Sequence, residues 1–357
     1  MIRARQSLTS PPAKTLRIVA IGGGTGLSTL LKGLKAYAHH RLPSETPPAN
    51  PVVDITAVVT VTDDGGSSGR LRREFDVLPP GDIRNCMVAL SEDEALLSRL
   101  FQYRFLTGRG LKGHSFGNLF LTALTNLTED FAQAVKLSSE VLAIAGKIYP
   151  STSENVSLRA ALDDGTSVSG ETNISAVRSC GIRSISLQPR KCKPLGETLA
   201  AIAQADLITF GPGSLFTSVI PNLLVDGIPA AIEKSLAVKA YFCNMMWQPG
   251  ETMGFRASDH VRQIHKHARR KCLDYVILNT KPVSEHIRRL YASERAEPVE
   301  NDIPRLERMG VSVIEADLLA DSTKVRHDPA RSAAIALELA AEGRRRRMHS
   351  ALASLGS

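Results

Sequence analysis

The most constraining feature of the sequence is a strand-like apolar run that leads directly into a polar, glycine-rich loop. Residues 55–61 are almost all β-branched, which is typical of a strand covered on both faces of a sheet. Residues 62–70 (TDDGGSSGR) follow at once and supply two carboxylates, several backbone N–H groups and a guanidinium. Because ligands of open α/β sheets bind beyond the carboxyl ends of strands, this loop is predicted to line a ligand site.

The same order of strand, turn and helix recurs along the chain. Residues 16–21 form an apolar run that ends in GGGTG, and leucines then recur at helical spacing. Alternation around residues 163–165 predicts a β-hairpin. Later strands are predicted at residues 206–210, 229–232, 240–244, 275–278 and 311–314. The fold class is therefore α/β, a doubly wound, Rossmann-like and mostly parallel sheet with a small β-hairpin insertion.

The length of 357 residues and the order of these elements predict one main unit. We expect residues 1–15 to be a loose N-terminal tail and residues 16–335 to be a single Rossmann-like domain. Residues 336–357 are expected to be a C-terminal helix and basic tail, and a Pro-rich loop is expected over residues 43–51.

Charge and composition exclude two classes of partner. The net charge is +8, but residues 1–17 and 344–347 each contribute +4, which leaves about zero for the rest. The folded core therefore has no basic excess, and no nucleic-acid partner is predicted. No apolar run reaches the length of about 18 residues that a membrane span needs. Five scattered cysteines without a C-x-x-C pair predict reduced thiols and a cytoplasmic location.

Two glycine turns are predicted to bind anions. Glycines between a strand and a helix let backbone N–H groups approach a phosphate at the positive end of the helix. The candidate residues are Gly23, Gly24, Thr25 and Gly26 after the first strand, and Gly211, Gly213 and Ser214 after a later one. Tight packing between strand and helix is the alternative role. Leu27 occupies the third glycine position of the dinucleotide fingerprint, which disfavours an NAD-dependent dehydrogenase.

Side chains of the intervening loops complete the candidate site. Asp63 and Asp64 are placed either to bind ribose or sugar hydroxyls or to hold Mg²⁺, and the sequence does not choose between these roles. A helix is predicted to start after residues 79–81 with Asp82 as its N-cap. Further polar groups suited to an anionic ligand are Arg84 and Asn85 in that helix, and His114 and Asn118 in a later glycine-flanked segment. The histidines match no metal-site spacing, so no metal ligand is assigned.

These motifs together resemble the bacterial gluconeogenesis factor family, which is related to 2-phospho-L-lactate transferase. The resemblance rests on residues that run in order through the core: 22–27 (GGGTGL), 62–70 (TDDGGSSGR), 80–85 (PGDIRN), 114–118 (HSFGN), 211–214 (GPGS), 248–252 (QPGET) and 326–329 (RHDP).

The resemblance implies a factor that binds a UDP-sugar, UDP-N-acetylglucosamine, and acts in carbon partitioning and cell-shape maintenance during gluconeogenic growth. It implies ligand roles for Tyr291 and Arg326. A regulatory protein partner and a homo-oligomer are compatible with the sequence, which determines neither. The alternative is a Mg²⁺-dependent transferase of a phospho-acid such as 2-phospholactate from a nucleotide donor. Members of the family look like regulators rather than established enzymes, so we expect a regulator. The loop after Asp63 and Asp64 departs from the transferase pattern, which disfavours the use of a deazaflavin.

Overall fold

The computed structural model describes residues 15–38, 52–91, 95–178 and 180–355. The expected N-terminal tail, apart from Thr15, and the Pro-rich loop at residues 43–51 lie outside the described residues.

A seven-stranded parallel sheet forms the centre of the fold. Its strands are β1 (Leu16–Gly22), β2 (Val53–Val59), β3 (Lys147–Pro150), β7 (Leu207–Phe210), β8 (Val238–Phe242), β9 (Tyr275–Asn279) and β10 (Ser312–Ala316). The spatial order is β10-β9-β8-β7-β1-β2-β3, and every neighbouring pair is parallel. The chain winds from β1 towards β3 and later from β7 towards β10. The topological switch point therefore lies between β1 and β7, where such sheets bind ligands.

Three strands form a second, antiparallel sheet. They are β4 (Ser157–Leu162), β5 (Ser167–Ser169) and β6 (Ile182–Gln188), in the order β5-β4-β6. The predicted hairpin is β4 and β5. The predicted α/β class with a small β insertion is thus confirmed, although β6 enlarges the insertion to three strands.

Helices cover both faces of the large sheet. They are α1 (Gly24–Lys35), α2 (Gly66–Phe75), α3 (Gly81–Leu90), α4 (Ala95–Gln102), α5 (Phe116–Thr128), α6 (Phe131–Val141), α7 (Glu171–Ala176), α8 (Gly196–Gln204), α9 (Ile220–Leu223), α10 (Ile228–Lys234), α11 (Ala257–Ala268), α12 (Glu285–Ala292), α13 (Ile303–Arg308) and α14 (Pro329–Leu355). A π-helical turn at Leu215–Val219 leads into α9. The central strands carry fully buried β-branched side chains, among them Ile18 and Ile55, as the predicted two-sided burial requires.

Several predicted elements differ from the structure. Residues 229–232 were predicted as a strand but lie in α10, where Pro229 occupies the first turn, a position that needs no N–H group. Asp82 is not the N-cap of α3. Pro80 holds that position, and the Asp82 carboxylate instead accepts a hydrogen bond from the Gly24 N–H. Strands β3 and β6 were not predicted, and β2 and β8 each begin and end two residues earlier than expected.

The arginine run at residues 344–347 lies within the long helix α14, and two of its side chains pack against the rest of the fold. Helix α14 runs unbroken across residue 335, and Gly343 lies so close to the Asp206 carbonyl that a Cβ there would be 1.8 Å from its oxygen. The fully buried Asp206 carboxylate accepts hydrogen bonds from Arg344 Nε at 3.0 Å and Arg344 Nη2 at 2.7 Å. Arg347 donates to the Ala205 carbonyl. These contacts attach α14 to the start of β7.

No single helix among the described residues combines the length and apolar character that crossing a membrane requires. Only the bent pair Leu215–Leu223 and Ile228–Lys234 reaches them jointly, with 75° between its two parts.

Candidate functional site

A cleft of about 530 Å³ opens at the switch point between β1 and β7. Its floor is made by the two glycine turns that follow these strands, and its far wall by the loop after β8 and the segments around residues 291–296 and 325–327. This volume is within the usual range of small-molecule sites.

The first glycine turn offers backbone donors to the cleft. Gly23 is extended, and α1 begins at Gly24, whose φ of +62° lies in the left-handed region that glycine favours. A Cβ on Gly26 would meet the Pro212 carbonyl oxygen at 2.4 Å, so glycine is required for the two turns to touch. The first N–H groups of a helix have no intrahelical partner, and those of Thr25 and Gly26 have none elsewhere in the described chain. These N–H groups lie at the positive end of α1, the kind of position at which helices bind anions.

The second glycine turn differs from the prediction, because side chains already occupy its helix N-terminus. Gln248 Oε1 accepts from the Leu215 N–H at 3.3 Å, and Glu251 Oε2 accepts from the Phe216 N–H at 3.2 Å. Burial raises the pKa of Glu251 to about 7, although these hydrogen bonds act against the shift. The turn therefore contributes Gly213 and Ser214 to the cleft surface but does not offer the π-helix N-terminus to a phosphate.

The far wall combines apolar surface with one cation. Met245, Met246 and Trp247 line the cleft after β8, with the Trp247 Nε1–H donating to the Phe255 carbonyl at 2.9 Å. Arg326 is exposed in the cleft, and its guanidinium makes no hydrogen bond or ion pair with a described residue. A ligand that spans the cleft from the first glycine turn to this wall would meet backbone donors, a ring surface and a free guanidinium.

Carboxylates make the cleft more acidic than a phosphate site usually is. Asp82 and Glu171 line it and are only partly exposed. Burial and the neighbouring Asp63 raise the pKa of Asp82 to about 7, and burial beside Asp82 raises the pKa of Glu171. Sequence reasoning missed Glu171 altogether and gave Asp82 only a capping role. The proximity of Asp82 to the glycine turn depends on how α3 packs against α1, which no local pattern encodes.

The structure brings eight of the fifteen predicted site residues together in the cleft. They are Gly23, Gly24, Thr25, Gly26, Gly213, Ser214, Tyr291 and Arg326. Gly211 adjoins them at the end of β7, with φ +70°, but does not line the cleft. Trp247, Met246 and Asn244 line it and were not predicted as site residues. The nearby QPGET motif was the available signal, because it places the end of β8 at the same edge of the sheet.

The remaining predicted residues form a second polar cluster beside the cleft, beyond β2. Asp63 Oδ1 accepts from the Gly65 N–H at 2.9 Å and supports a local turn, whereas Asp64 Oδ1 accepts from the Thr172 N–H at 2.9 Å in the first turn of α7. Within α3, Arg84 donates to Asn85 Oδ1 at 2.7 Å. Two contacts join α2 to the start of α5: His114 Nδ1 with Ser67 Oγ at 2.9 Å, and Asn118 Nδ2 with Ser68 Oγ at 3.4 Å. Burial lowers the pKa of His114.

Metal binding by the protein alone has little support in the part of the chain that the structure describes. No group of three or more His, Cys, Asp or Glu side chains there is arranged to hold an ion. Asp82 and Glu171 nevertheless offer hard oxygen donors on the cleft wall. Mg²⁺ is commonly held by one or two carboxylates together with phosphate oxygens of the ligand. These two residues therefore fit a Mg²⁺ ion only when a phosphate ligand completes the coordination.

The fold and the cleft together define an α/β protein of Rossmann type with a cleft lined by glycine turns at its switch point. The family model described as 2-phospho-L-lactate transferase CofD matches residues 18–319. The gluconeogenesis factor of Halalkalibacterium halodurans is 46% identical over 326 residues, covering 91% of this chain and 97% of the relative. That of Bacillus subtilis is 45% identical, covering 91% and 98%.

A solved structure agrees with these relatives. A crystal structure of a UPF0052 family member from Bacillus halodurans has a TM-score of 0.84 at 45% identity and covers 91% of this chain and 99% of its own. The chain belongs to the gluconeogenesis factor family, with a CofD-like domain. The resemblance inferred from the motifs is thereby confirmed.

Proposed function

We propose that this protein is a cytoplasmic regulatory factor that binds a UDP-sugar, UDP-N-acetylglucosamine, and acts with a protein partner in carbon partitioning and cell-shape maintenance. One observation carries the binding proposal. The free N–H groups of Thr25 and Gly26 and the unpaired Arg326 guanidinium face one cleft that also has an apolar wall. A ligand that carries both phosphate groups and a ring could bind the N–H groups and the guanidinium through its phosphates and pack its ring against the apolar wall.

The diphosphate belongs at the first glycine turn. Backbone N–H groups at the N-terminus of α1 bind one phosphate, and the guanidinium of Arg326 is suited to a second by its planar, forked shape. The uracil or sugar ring would lie against Met246 and Trp247, where burial of apolar surface adds affinity. The Asn244 side chain is placed on the same wall to contact sugar hydroxyls.

The carboxylates of the cleft would repel a diphosphate, so binding requires that part of this negative charge be neutralised. Asp82, Glu171, Glu251 and Glu294 line the cleft, against the single cation Arg326. A diphosphate therefore needs either protons on the nearby carboxyls or a Mg²⁺ ion held by Asp82 and Glu171. We expect tighter binding when Mg²⁺ is present, since the ion would neutralise charge on both partners.

The alternative function is a transferase of a phospho-acid from a nucleotide donor. Two observations favour it: the transferase family model matches most of the chain, and Asp82 and Glu171 offer oxygen donors beside the anion site. Such a reaction depends on positioning and charge neutralisation. Incubation with Mg²⁺, a guanylyl-activated phospholactate and a deazaflavin tests it, because product formation would establish the enzyme.

Calorimetry with the full chain tests the proposed ligand. UDP-N-acetylglucosamine should bind, whereas GDP and NAD should bind much more weakly or not at all. Arg326→Ala should weaken UDP-N-acetylglucosamine binding by about 10- to 100-fold, the range of a lost charge-assisted hydrogen bond. Lys324→Ala is the matched control, because Lys324 is exposed but does not line the cleft. Equal affinities for the wild type and Arg326→Ala would remove Arg326 from the site.

A further inference from the structure

We infer that Tyr291 is a positioning residue, whose hydroxyl fixes the backbone that carries Arg326 instead of holding the ligand itself. The inference rests on the proposed function for its binding measurements. The two residues then have different roles in the far wall of the cleft: Arg326 contacts the phosphate, and Tyr291 fixes the position of the backbone that carries Arg326.

One side of the Arg326 segment is anchored by main-chain hydrogen bonds. The Ala320 N–H donates to the Arg326 carbonyl at 2.9 Å, and the Asp328 N–H donates to the Leu318 carbonyl at 2.6 Å. Leu319 and His327 form an antiparallel bridge between these bonds. The segment is thus a hairpin whose second arm carries Arg326 to the cleft.

Tyr291 holds the chain directly before Arg326. Its hydroxyl oxygen accepts a hydrogen bond from the Val325 N–H at 3.1 Å. The Arg326 side chain makes no hydrogen bond or ion pair with a described residue, so the position of its backbone determines how far the guanidinium reaches into the cleft. The bond to Val325 therefore holds the residue before Arg326 to the end of α12, while the residue after it, His327, is held by a hydrogen bond with the Cys243 backbone.

Tyr291 is itself tied to the Trp247 loop, which belongs to the same far wall of the cleft. Helix α12 has no fully buried side chain, although Tyr291 near its end is partly buried against the core, and the turn that follows adds further contacts. In this turn the N–H groups of Glu294 and Ala296 donate to the Tyr291 carbonyl at 3.0 and 3.1 Å. The next residue is fixed to the apolar wall, because the Trp247 N–H donates to the Glu297 carbonyl at 2.8 Å. Tyr291 thus connects the Trp247 loop with the Arg326 hairpin.

The competing role, stacking of the Tyr291 ring on uracil or the sugar, makes a different prediction for Tyr291→Phe. That variant keeps the ring and removes only the hydroxyl. We expect it to bind UDP and UDP-N-acetylglucosamine about 3- to 10-fold more weakly, the effect of one hydrogen bond. Uridine, which has no phosphate, should bind as it does to the wild type. In an Arg326→Ala background, Tyr291→Phe should change UDP affinity by less than about twofold, since the two residues act as one unit.

Two controls separate this role from a general loss of structure. Tyr275→Phe removes a hydroxyl that bonds Glu342 outside the cleft, at 3.1 Å, and should leave UDP affinity unchanged. Hydrogen exchange of the Val325 amide in the ligand-free protein should be faster in Tyr291→Phe than in the wild type. This readout needs no ligand, so it tests the inference even if no UDP-sugar binds and the proposed function fails.

Three results would overturn the inference. The first is wild-type affinity of Tyr291→Phe for UDP, and the second is an equal loss of uridine and UDP binding, which would place the hydroxyl on the base. The third is unchanged exchange of the Val325 amide.

Discussion

Replacement of Arg344 by methionine should destabilise the protein, because this arginine of the predicted C-terminal helix and basic tail is paired with a buried carboxylate. Arg344→Met keeps an apolar stem and removes two hydrogen bonds to the Asp206 carboxylate, at 3.0 and 2.7 Å, together with the bond to the Thr15 carbonyl. The carboxylate is fully buried, so it would be left in the core with much less compensation.

The magnitude follows from what remains around Asp206. Removing one partner of a buried ion pair costs about 3–5 kcal/mol. The Arg17 N–H still donates to the carboxylate at 2.8 Å, and Arg347 Nε remains 3.6 Å away. These contacts reduce the cost, and we expect a loss of about 3 kcal/mol in the free energy of unfolding.

Urea denaturation of the wild type, Arg344→Met and Arg345→Met measures this loss. Arg345 is exposed in the same arginine run, so Arg345→Met should change the unfolding free energy by less than about 0.5 kcal/mol. Equal effects of the two substitutions would refute the reasoning, because they would show that the run acts only through its total charge.

Two further perturbations test the cleft. Gly26→Ala should cost about 1–3 kcal/mol of stability and lower UDP-sugar affinity, because the new Cβ meets the Pro212 backbone. Gly196→Ala is the control and should cost no stability, since a Cβ there meets open space. Urea unfolding measures the stability, and titration calorimetry measures the affinity. The pKa of Asp82 is about 7 in the folded protein, above its usual value of 3.8, so the folded protein keeps a proton that the unfolded chain loses. The free energy of unfolding therefore falls as the pH rises from about 4 to 7. Asp82→Asn should make this pH-dependent decrease smaller by about 2–4 kcal/mol, as measured by urea unfolding at pH 5 and at pH 8. The same pH dependence in the variant and the wild type would contradict the assignment of the decrease to Asp82.

The parts of the fold that the sequence predicted are those with a strong local pattern. The buried β-branched runs around Ile18 and Ile55 and the glycine turns after them specify strand and helix by period and turn chemistry. The strand predicted at residues 229–232 is wrong because a short apolar stretch fits a buried helix equally well, and Pro229 suits a first helical turn. Strand β3, only four residues long, is defined by its pairing with β2 rather than by its own pattern.

The candidate site was predictable only where it follows the strand ends. Gly24 and Gly213 could be placed together because parallel strands share one carboxyl edge. Asp82 and Trp247 enter the cleft through the packing of α3 and the path of the β8 loop, which are tertiary features. The occupation of the second turn by Gln248 and Glu251 depends on long-range contacts as well, so the two similar glycine motifs could not be told apart from sequence.

A crystal structure of the complex with UDP-N-acetylglucosamine tests the central claim most directly. The account predicts the diphosphate within hydrogen-bond distance of the Thr25 and Gly26 N–H groups, with the Arg326 guanidinium on a phosphate oxygen. A nucleotide bound instead in the cluster of Asp63, Arg84 and His114, with the glycine turn of α1 empty, would contradict it.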